Sequence, residues 1–395
     1  MHNPSAEWTY RSDGMRIATR SLIVCSLAGL IGAATPASRS SIVVRDAASL
    51  KAAIAAARGG ETILLAPGDY GDVVVAKHQF AKPLTIQSKD NGDPARFERL
   101  EIVSSSNIIV RQVDVGGPLR PGEKDFTAIV RISGADHIRL EKLAVHGSLN
   151  GDPEDDGRGA VVVQSQAVTI SGSSFRELRV GAVFDKCRSV ELSGNSFEDM
   201  RSDGTDVADS WGVRVLGNRF SDFHPRQGDH PDAIQFWMTG KGIGSGDIVI
   251  RDNVILQGSG VGPQGIFVSD ARDGKYTGVE ISNNLVYSND HYLGIYVSGA
   301  VAPRISGNTT LSAPKDGKYL RIAVARSDSP SIESNVAEQI DVDNKVMSSG
   351  GSNMIVDRDR STNKLSLLDA HGSPKGISAL MVNGKGYRPP DVPGS

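Results

Sequence analysis

The sequence has few cysteines, few aromatic residues and no large excess of either charge. It contains two cysteines, Cys25 and Cys187, and Cys25 falls in a segment that we expect to be removed. The mature chain therefore cannot form an internal disulfide, and its stability must come from a hydrophobic core. Aromatic residues make up 5% of the chain while 44 of its 395 residues are glycine, which favours tight turns and small repeated layers over a helical bundle.

The charge balance bears on the kind of partner. The formal net charge is −3, and a surface that binds phosphates normally shows a basic excess. Nucleic acid is therefore not an expected partner, whereas a polysaccharide remains compatible with the composition.

The N-terminal segment differs in composition from the rest of the chain. Arg16 and Arg20 precede an apolar run over residues 22–31, which is followed by small residues. This pattern is typical of a signal peptide, and the run is too short to span a bilayer as a helix. We predict that residues 1–37 are a signal peptide with an upstream extension. The mature protein is then expected to be secreted or periplasmic, without stable membrane insertion.

A short phrase of alternating apolar residues, followed by Gly or Asn, returns along the middle of the chain. Successive phrases start 22 to 35 residues apart, and a minimum near 22 with loop insertions is typical of one coil of a parallel β-helix. Strands of period two, broken by Asn and Gly rather than by helical patterns, exclude a βαβ arrangement. Clear examples begin at Val168, Val190, Val213, Ile248 and Val279.

An apolar pattern at helical spacing precedes the repeat. It covers residues 46–58, and Gly59 and Gly60 follow it. The pattern predicts a helix, and an open solenoid needs such an element to cover its first apolar layer.

The segment Glu61-Thr-Ile-Leu-Leu-Ala-Pro-Gly-Asp-Tyr70 follows this helix. The opening resembles the pectate-lyase-like superfamily, in which a helix and a similar phrase start the first coil. Over residues 41–345 the resemblance implies an all-β fold, namely a right-handed, single-stranded parallel β-helix with an N-terminal capping helix. Lyases, hydrolases and epimerases share this scaffold, so the reaction type stays open. Residues 346–395 lose the repeat and are predicted to form a C-terminal cap or a loose tail.

The register of the repeat predicts which residues point outward. Counting back ten residues from the central apolar position of each phrase reaches a second strand, whose next residue should face solvent and stack with its counterparts. The predicted outward column contains Arg131, Val161, Val183, Asp206, Gln235, Phe267, Tyr296 and Ala323, with Trp237 two residues beyond Gln235. A column that is polar at its centre and aromatic further along suits a sugar chain. The alternative is that these are ordinary solvent-facing strand residues.

The loops that lead into this strand are rich in polar groups. Four of the eight histidines lie in them, namely His146, His224, His230 and His291. A loop histidine is usually only solvated, but several polar loops that meet at one edge favour a functional site. The predicted centre of that site comprises Asp206, Arg226, His230, Asp232 and Gln235.

Lyase chemistry on a uronic acid needs groups that neutralise the carboxylate, a base and an acid. Arg226, Gln235 and Gln264 could bind the carboxylate, while His230 or Tyr292 could move protons beside Asp206. The phrase Gly228-Asp-His-Pro-Asp-Ala-Ile-Gln-Phe-Trp237, with Gln264-Gly-Ile-Phe-Val268, resembles β-helix proteins that look like alginate or glucuronan lyases. The leading hypothesis is a secreted lyase that cleaves an acidic polysaccharide by β-elimination. Further predicted substrate-binding residues are Asp203, Asp232, Trp237, Phe267, His291, Tyr296 and His224.

Three other functions remain open. Asp203-Gly-Thr-Asp206 followed by Asp229-His-Pro-Asp232 resembles in part the polygalacturonase pattern, which would imply hydrolysis, but no Gly-His-Gly follows. A mannuronan epimerase motif would fall at Asp206-Val-Ala-Asp209, where its histidine is missing. A non-catalytic, adhesive carbohydrate-binding protein is the third alternative.

An acidic loop is the one candidate metal site. Asp152, Glu154, Asp155 and Asp156 could bind Ca²⁺ through their oxygens, but the spacing is not that of an EF-hand and a solvated acidic turn is favoured. The chemistry above requires no cofactor, and a monomer is expected.

Overall fold

In the computed structural model the chain forms a right-handed parallel β-helix, so the predicted fold class is confirmed. The structure describes residues 41–240, 244–269, 275–289, 291–313, 320–347, 352–356 and 384–389. The predicted signal peptide and most of the predicted C-terminal segment lie outside these residues. Within them, no helix is both long and apolar enough to cross a membrane.

Each full coil contributes one strand to each of three parallel sheets. A strand forms its backbone hydrogen bonds with the corresponding strands of the neighbouring coils. Sheet 1 contains Ser41–Val44, Thr62–Leu65, Gln79–Ser88, Ser106–Arg111, Asp136–Glu141, Gln166–Ser171, Arg188–Ser193, Trp211–Leu216, Ser245–Arg251, Tyr276–Ser282, Ala300–Val301, Arg304–Ser306 and Ser331–Glu333. Sheet 2 contains Arg96–Phe97, Asp114–Gly116, Ala144–His146, Ser174–Leu178, Ser196–Met200, Arg219–Ser221, Val254–Leu256, Leu285–Ser288, Thr309–Ser312, Val336–Ala337 and Met354–Ile355. Sheet 3 contains Asp72–Ala76, Arg99–Val103, Ala128–Ser133, Arg158–Val163, Val180–Asp185, Thr205–Ala208, Asp232–Trp237, Gln264–Val268, Leu293–Ser298, Arg321–Ala325, Gln339–Val342 and, antiparallel at its end, Lys345–Val346.

The predicted helix covers the first coil. It spans Ala47–Ala56, and the side chain of Asp46 caps it by accepting a hydrogen bond from the Ser49 N–H at 2.7 Å. Leu50 and Ile54 are buried in the main core, where they cover the apolar layer that the open end of the solenoid would otherwise expose.

The turns between sheets 1 and 2 use left-handed residues, as the Gly-Asn and Asn-Asn pairs of the sequence predict. Gly194 has a φ of 62° and Asn283 a φ of 53°. Asparagine and glycine tolerate this conformation better than other residues do. The following residue is then an asparagine that points into the solenoid.

These inward asparagines form a continuous ladder. Each side-chain amide donates to the side-chain oxygen of the asparagine in the next coil, with distances of 2.9–3.1 Å. Each amide also donates to a backbone carbonyl of the preceding coil, as Asn253 does to Val215 at 2.9 Å. The ladder therefore satisfies polar groups inside an apolar core. Its members are Asn195, Asn218, Asn253, Asn284, Asn308, Asn335 and Asn353.

The alternation of side chains breaks near the start of the sheet 3 strands, which stay in register with one another. Ala233 and Ile234 are consecutive, yet both are fully buried in the core, which breaks the usual alternation of side chains. Small residues occupy the first of these two positions because the stacked rings of sheet 2 lie beneath it. A Cβ on Gly204 would lie 2.5 Å from Cδ1 of Phe220, and one on Gly181 would lie 2.4 Å from Cδ1 of Phe197.

The ladder predicts a large effect of one buried substitution. Asn253→Ala removes two donated bonds and leaves the buried Asn218 N–H without its 2.9 Å acceptor. We expect the free energy of unfolding to fall by about 3 kcal/mol, as measured by denaturant unfolding. Asn91→Ala, at an exposed position, is the matched control and should change it by less than about 0.5 kcal/mol. Equal effects of both substitutions would contradict the role of the ladder.

Candidate functional site

Two consecutive inward residues near the start of the sheet 3 strands leave two outward positions, three residues apart. Because Ala233 and Ile234 both point inward, Asp232 and Gln235 both point outward. Gln235 Nε2 accordingly donates to Asp232 Oδ2 at 2.5 Å. Asp203 precedes Asp206 by the same three positions, so the outer face of sheet 3 carries two parallel columns of side chains.

The predicted outward column is confirmed as one of these columns. Its members pair directly across successive strands of sheet 3, from Arg131 opposite Val161 to Tyr296 opposite Ala323. The column behind it contains Ala128, Arg158, Val180, Asp203, Asp232, Gln264, Leu293 and Arg321.

Two carboxyl groups from adjacent coils form the buried centre of the face. The Asp232 N–H donates to Asp203 Oδ1 at 2.9 Å, and Gln264 Nε2 donates to Asp232 Oδ1 at 2.9 Å. Burial, together with the charge of Asp232, raises the pKa of Asp203 to about 8. Asp203 is therefore largely protonated at neutral pH, beside a carboxylate held by two amides.

A third carboxyl group lies further out on the same face. Asp206 accepts a hydrogen bond from the indole N–H of Trp237. Burial raises the pKa of Asp206, although this hydrogen bond and the charge of Arg158 oppose the shift. Asp206 therefore keeps a proton to higher pH than an exposed aspartate does.

His230 covers this carboxyl cluster from the solvent side. Gln264 Nε2 lies 3.2 Å from both ring nitrogens, and Asp232 Oδ2 lies 3.8 Å from Nδ1. Asp232 raises the pKa of His230, and burial only partly offsets this effect. The side chain is 63% exposed, and its ring meets that of His291 edge to face at 5.2 Å. His230 is thus a solvent-accessible group with a raised pKa beside the buried carboxyl groups.

Aromatic rings extend the face beyond the cluster. Phe267 and Tyr296 are half-buried, and their ring centroids lie 5.1 Å apart. Trp237 is 36% exposed. Flat rings along an open face are suited to stacking against the apolar faces of sugar rings.

Other predicted site residues have their own contacts or are exposed. His224 pairs with Asp199 of sheet 2 at 3.4 Å, and His146, itself in a sheet 2 strand, pairs with Asp114 at 2.9 Å. Tyr292 packs against the guanidinium of Arg321, 5.1 Å from its ring centroid. The Arg226 side chain is exposed and makes no ion pair with the described residues. The positions of these residues along the sequence do not determine on which side of the coil each side chain lies.

Sequence reasoning missed a buried arginine that fastens three loops. Arg201 is 1% exposed, and its Nε donates to Asp229 Oδ2 at 2.9 Å. Its Nη1 lies 3.3 Å from both Asp125 Oδ2 and the Glu154 carbonyl oxygen. Arg201 therefore holds the loop that ends at His230, and no motif in the sequence signalled it.

The acidic loop does not form a metal cluster. Within the described residues, no group of three or more His, Cys, Asp or Glu side chains is placed to hold a metal ion. Asp152 instead caps the short 3₁₀ helix Pro153–Asp155, which includes Glu154. Asp156 is fully buried rather than solvated, since its oxygens bind the Ser148 N–H at 2.7 Å and hydroxyl at 3.0 Å. Burial raises the pKa of Asp156 to about 6.

The protonated state of Asp203 predicts a pH effect on stability. An unfolded chain has the ordinary carboxyl pKa of 3.8, whereas the folded pKa is about 8, so the folded state binds the extra proton between these values. The free energy of unfolding therefore falls as pH rises from about 5 to about 8, and Asp203→Asn removes that contribution. We expect the variant to gain thermal stability relative to wild type over this range. Asp93→Asn, at an exposed site, should follow the wild-type slope; a parallel slope for Asp203→Asn would contradict the assignment.

Comparison with known proteins bears on the fold. Residues 128–317 match the profile of the family described as right handed beta helix region, whereas no curated protein matches the sequence significantly. An alginate lyase from Paenibacillus sp. str. FPU-7 is 14% identical, with 80% of this chain and 99% of that chain covered and a TM-score of 0.45. The A-module of the Azotobacter vinelandii mannuronan C-5 epimerase AlgE6 is 14% identical, with coverage of 78% and 92% and a TM-score of 0.45. The Streptococcus pneumoniae surface adhesin PfbA is 10% identical, with coverage of 78% and 94% and a TM-score of 0.42.

The family match and the three parallel sheets agree on the architecture. The matched residues include the sheet 3 strands that carry Asp206, Asp232 and Gln264. The chain has a right-handed parallel β-helix fold, and residues 128–317 match the family model described above.

Proposed function

We propose that this protein is a secreted enzyme that binds a uronate-containing polysaccharide on the outer face of sheet 3 and cleaves it by β-elimination. One observation carries the proposal. A solvent-accessible histidine, His230, is held over the buried pair Asp203 and Asp232, beside aromatic rings on the same face. Perturbed ionisable groups that converge on an accessible surface are typical of a catalytic site.

The geometry of the face suits an extended polymer. Successive outward residues are separated by the strand spacing of roughly 4.8 Å, so the row runs along the solenoid axis. Trp237, Phe267 and Tyr296 then offer stacking surfaces beside the carboxyl cluster. The face is open, which leaves room for a chain that continues on both sides.

The cluster supplies the proton transfers that elimination needs. In the proposed step, neutral His230 removes the proton on the carbon next to the uronate carboxyl group. The electron pair of that C–H bond forms a C=C bond to the neighbouring carbon, and the bond from that carbon to the glycosidic oxygen breaks. Asp206, whose pKa is raised by burial, donates a proton to the leaving oxygen. Asp232 stabilises the imidazolium that His230 becomes.

Hydrolysis is the second candidate, and a specific observation favours it. Asp203, Asp206 and Asp232 come from adjacent coils, and Asp203 and Asp206 both have raised pKa values. A protonated carboxyl group near an ionised one is the arrangement that glycoside hydrolysis uses as acid and base. The products of the two reactions differ, so a single assay separates them.

The test is incubation of the purified protein with alginate, pectate, glucuronan and neutral polysaccharides. Elimination produces absorbance from the new C=C bond together with new reducing ends. Reducing ends without absorbance would replace the proposal with hydrolysis. An altered uronate composition without cleavage would indicate epimerisation, and binding without any reaction would indicate an adhesive protein.

Two histidines allow a matched substitution test. We expect His230→Gln to lower kcat/KM at least about 100-fold, because general base catalysis contributes roughly 10²–10⁴-fold. His224→Gln should leave kcat/KM within about twofold of wild type, since His224 pairs with Asp199 away from the cluster. Initial rates on the polymer that reacts provide the measurement. Full turnover by the His230 variant would remove His230 from the reaction.

A further inference from the structure

Arg158 differs from the other arginines that the structure describes as buried or half-buried. Arg99, Arg111, Arg179, Arg201, Arg214 and Arg321 each lie within ion-pair distance of a carboxylate. Arg158 is half-buried and has no such partner among the described residues, and its Nε is buried without a hydrogen-bond acceptor. A guanidinium that loses water without gaining an anion costs free energy, so this position is unfavourable unless a ligand completes it.

Two consecutive inward residues after Arg158 place its side chain on the outer face of sheet 3. Gly159 and Ala160 both face the core, since a Cβ on Gly159 would lie 2.9 Å from Leu178 Cδ1 and Ala160 is fully buried. Arg158 and Val161 therefore both emerge outward. Arg158 pairs with Val180 in the next strand, and Asp203 follows one strand later, so two strand spacings, roughly 10 Å, separate Arg158 from Asp203.

A small apolar patch fills the space between the arginine and the acids. Val161, Val180 and Val183 pack together outside the main core, with exposed fractions of 3–7%. The charge of Arg158 still influences the far side of this patch, because it is one of the groups that oppose the rise in the pKa of Asp206. Arg158 thus lies on the same face as the carboxyl cluster, with the valine patch between them.

We propose that Arg158 binds a carboxylate of the substrate, one or more sugar units away from the bond that is cleaved. This inference rests on the proposed function and names the substrate class that the site selects. The planar fork of a guanidinium matches the two oxygens of a carboxylate. Arg201 and Arg179 cannot take this role, because Asp125 binds both of them and Asp229 also binds Arg201. Arg158 is therefore a specificity-determining residue for acidic over neutral polysaccharides.

Binding to tetrasaccharides measures this role without cleavage. Calorimetry would use His230→Gln protein as the background and tetrasaccharides from alginate, pectate and glucuronan, each beside its carboxyl-reduced counterpart. Adding Arg158→Gln should weaken binding of the acidic tetrasaccharide about tenfold or more, with no change for the reduced one. Arg158→Lys should restore part of the affinity. Arg188→Gln, at an exposed position on sheet 1, is the charge-matched control and should have no effect.

The outcomes separate this inference from the proposed function. If no acidic tetrasaccharide binds the background protein, the proposed function fails and the inference fails with it. If acidic tetrasaccharides bind and Arg158→Gln binds them equally well, the inference fails while the proposed function stands. If Arg158→Gln weakened the binding of a sulfated oligosaccharide by the same factor as that of the acidic tetrasaccharide, the proposed selectivity for carboxylate would be overturned. Thermal unfolding of each variant tests whether it is folded. We expect the Arg158 variants to fold, because Arg158 makes no ion pair with the described residues.

Discussion

The in-register stacking of coils is the constraint on which the rest of the structure depends. Every strand pairs with its counterpart one coil away, so a residue's neighbours are the residues at the same position of the adjacent coils. The interior must therefore pack similar side chains at the regular spacing between coils. Apolar side chains, stacked phenylalanine rings and the asparagine ladder meet this condition. The free cysteine, Cys187, is buried and contributes as an ordinary core residue.

The same constraint builds the candidate site. An inward small residue repeated at Gly204, Ala233 and Gly265 is followed by a second inward residue, which leaves two outward positions in each of these strands, and stacking aligns those positions across coils. Asp203 and Asp232, which lie far apart in sequence, are thereby brought together, and the backbone N–H of Asp232 donates to the carboxyl group of Asp203. Burial and the charge of Asp232 raise the pKa of Asp203, and Asp232 also raises the pKa of His230. The alignment of these carboxyl groups is therefore a consequence of the regular fold.

The loops add a side chain, His230, that the repeated strands do not provide. The loop that ends at His230 delivers this side chain over the regular face, and Arg201 fixes three of the connections from sheet 2 to sheet 3 through Asp125, Asp229 and the carbonyl of Glu154. His230 lies directly after Asp229, so its position depends on a buried ion pair. Regular strands below and anchored loops above support the proposed binding of an extended polymer.

The sequence by itself determined the solenoid, the capping helix and the outward column that contains Asp206, Gln235 and Phe267. These follow from local periodicity, because side chains alternate along a strand and parallel coils repeat the same register. The sequence placed Asp203 and Asp232 among the predicted site residues, but only the tertiary structure decided how they share that face, since two consecutive inward residues break the alternation near the start of these strands. It also decided that His224 pairs with Asp199 and that Tyr292 packs against Arg321, and that Arg158 has no acidic partner among the described residues. Those outcomes depend on loop paths and on burial, which are set by contacts between residues distant in sequence.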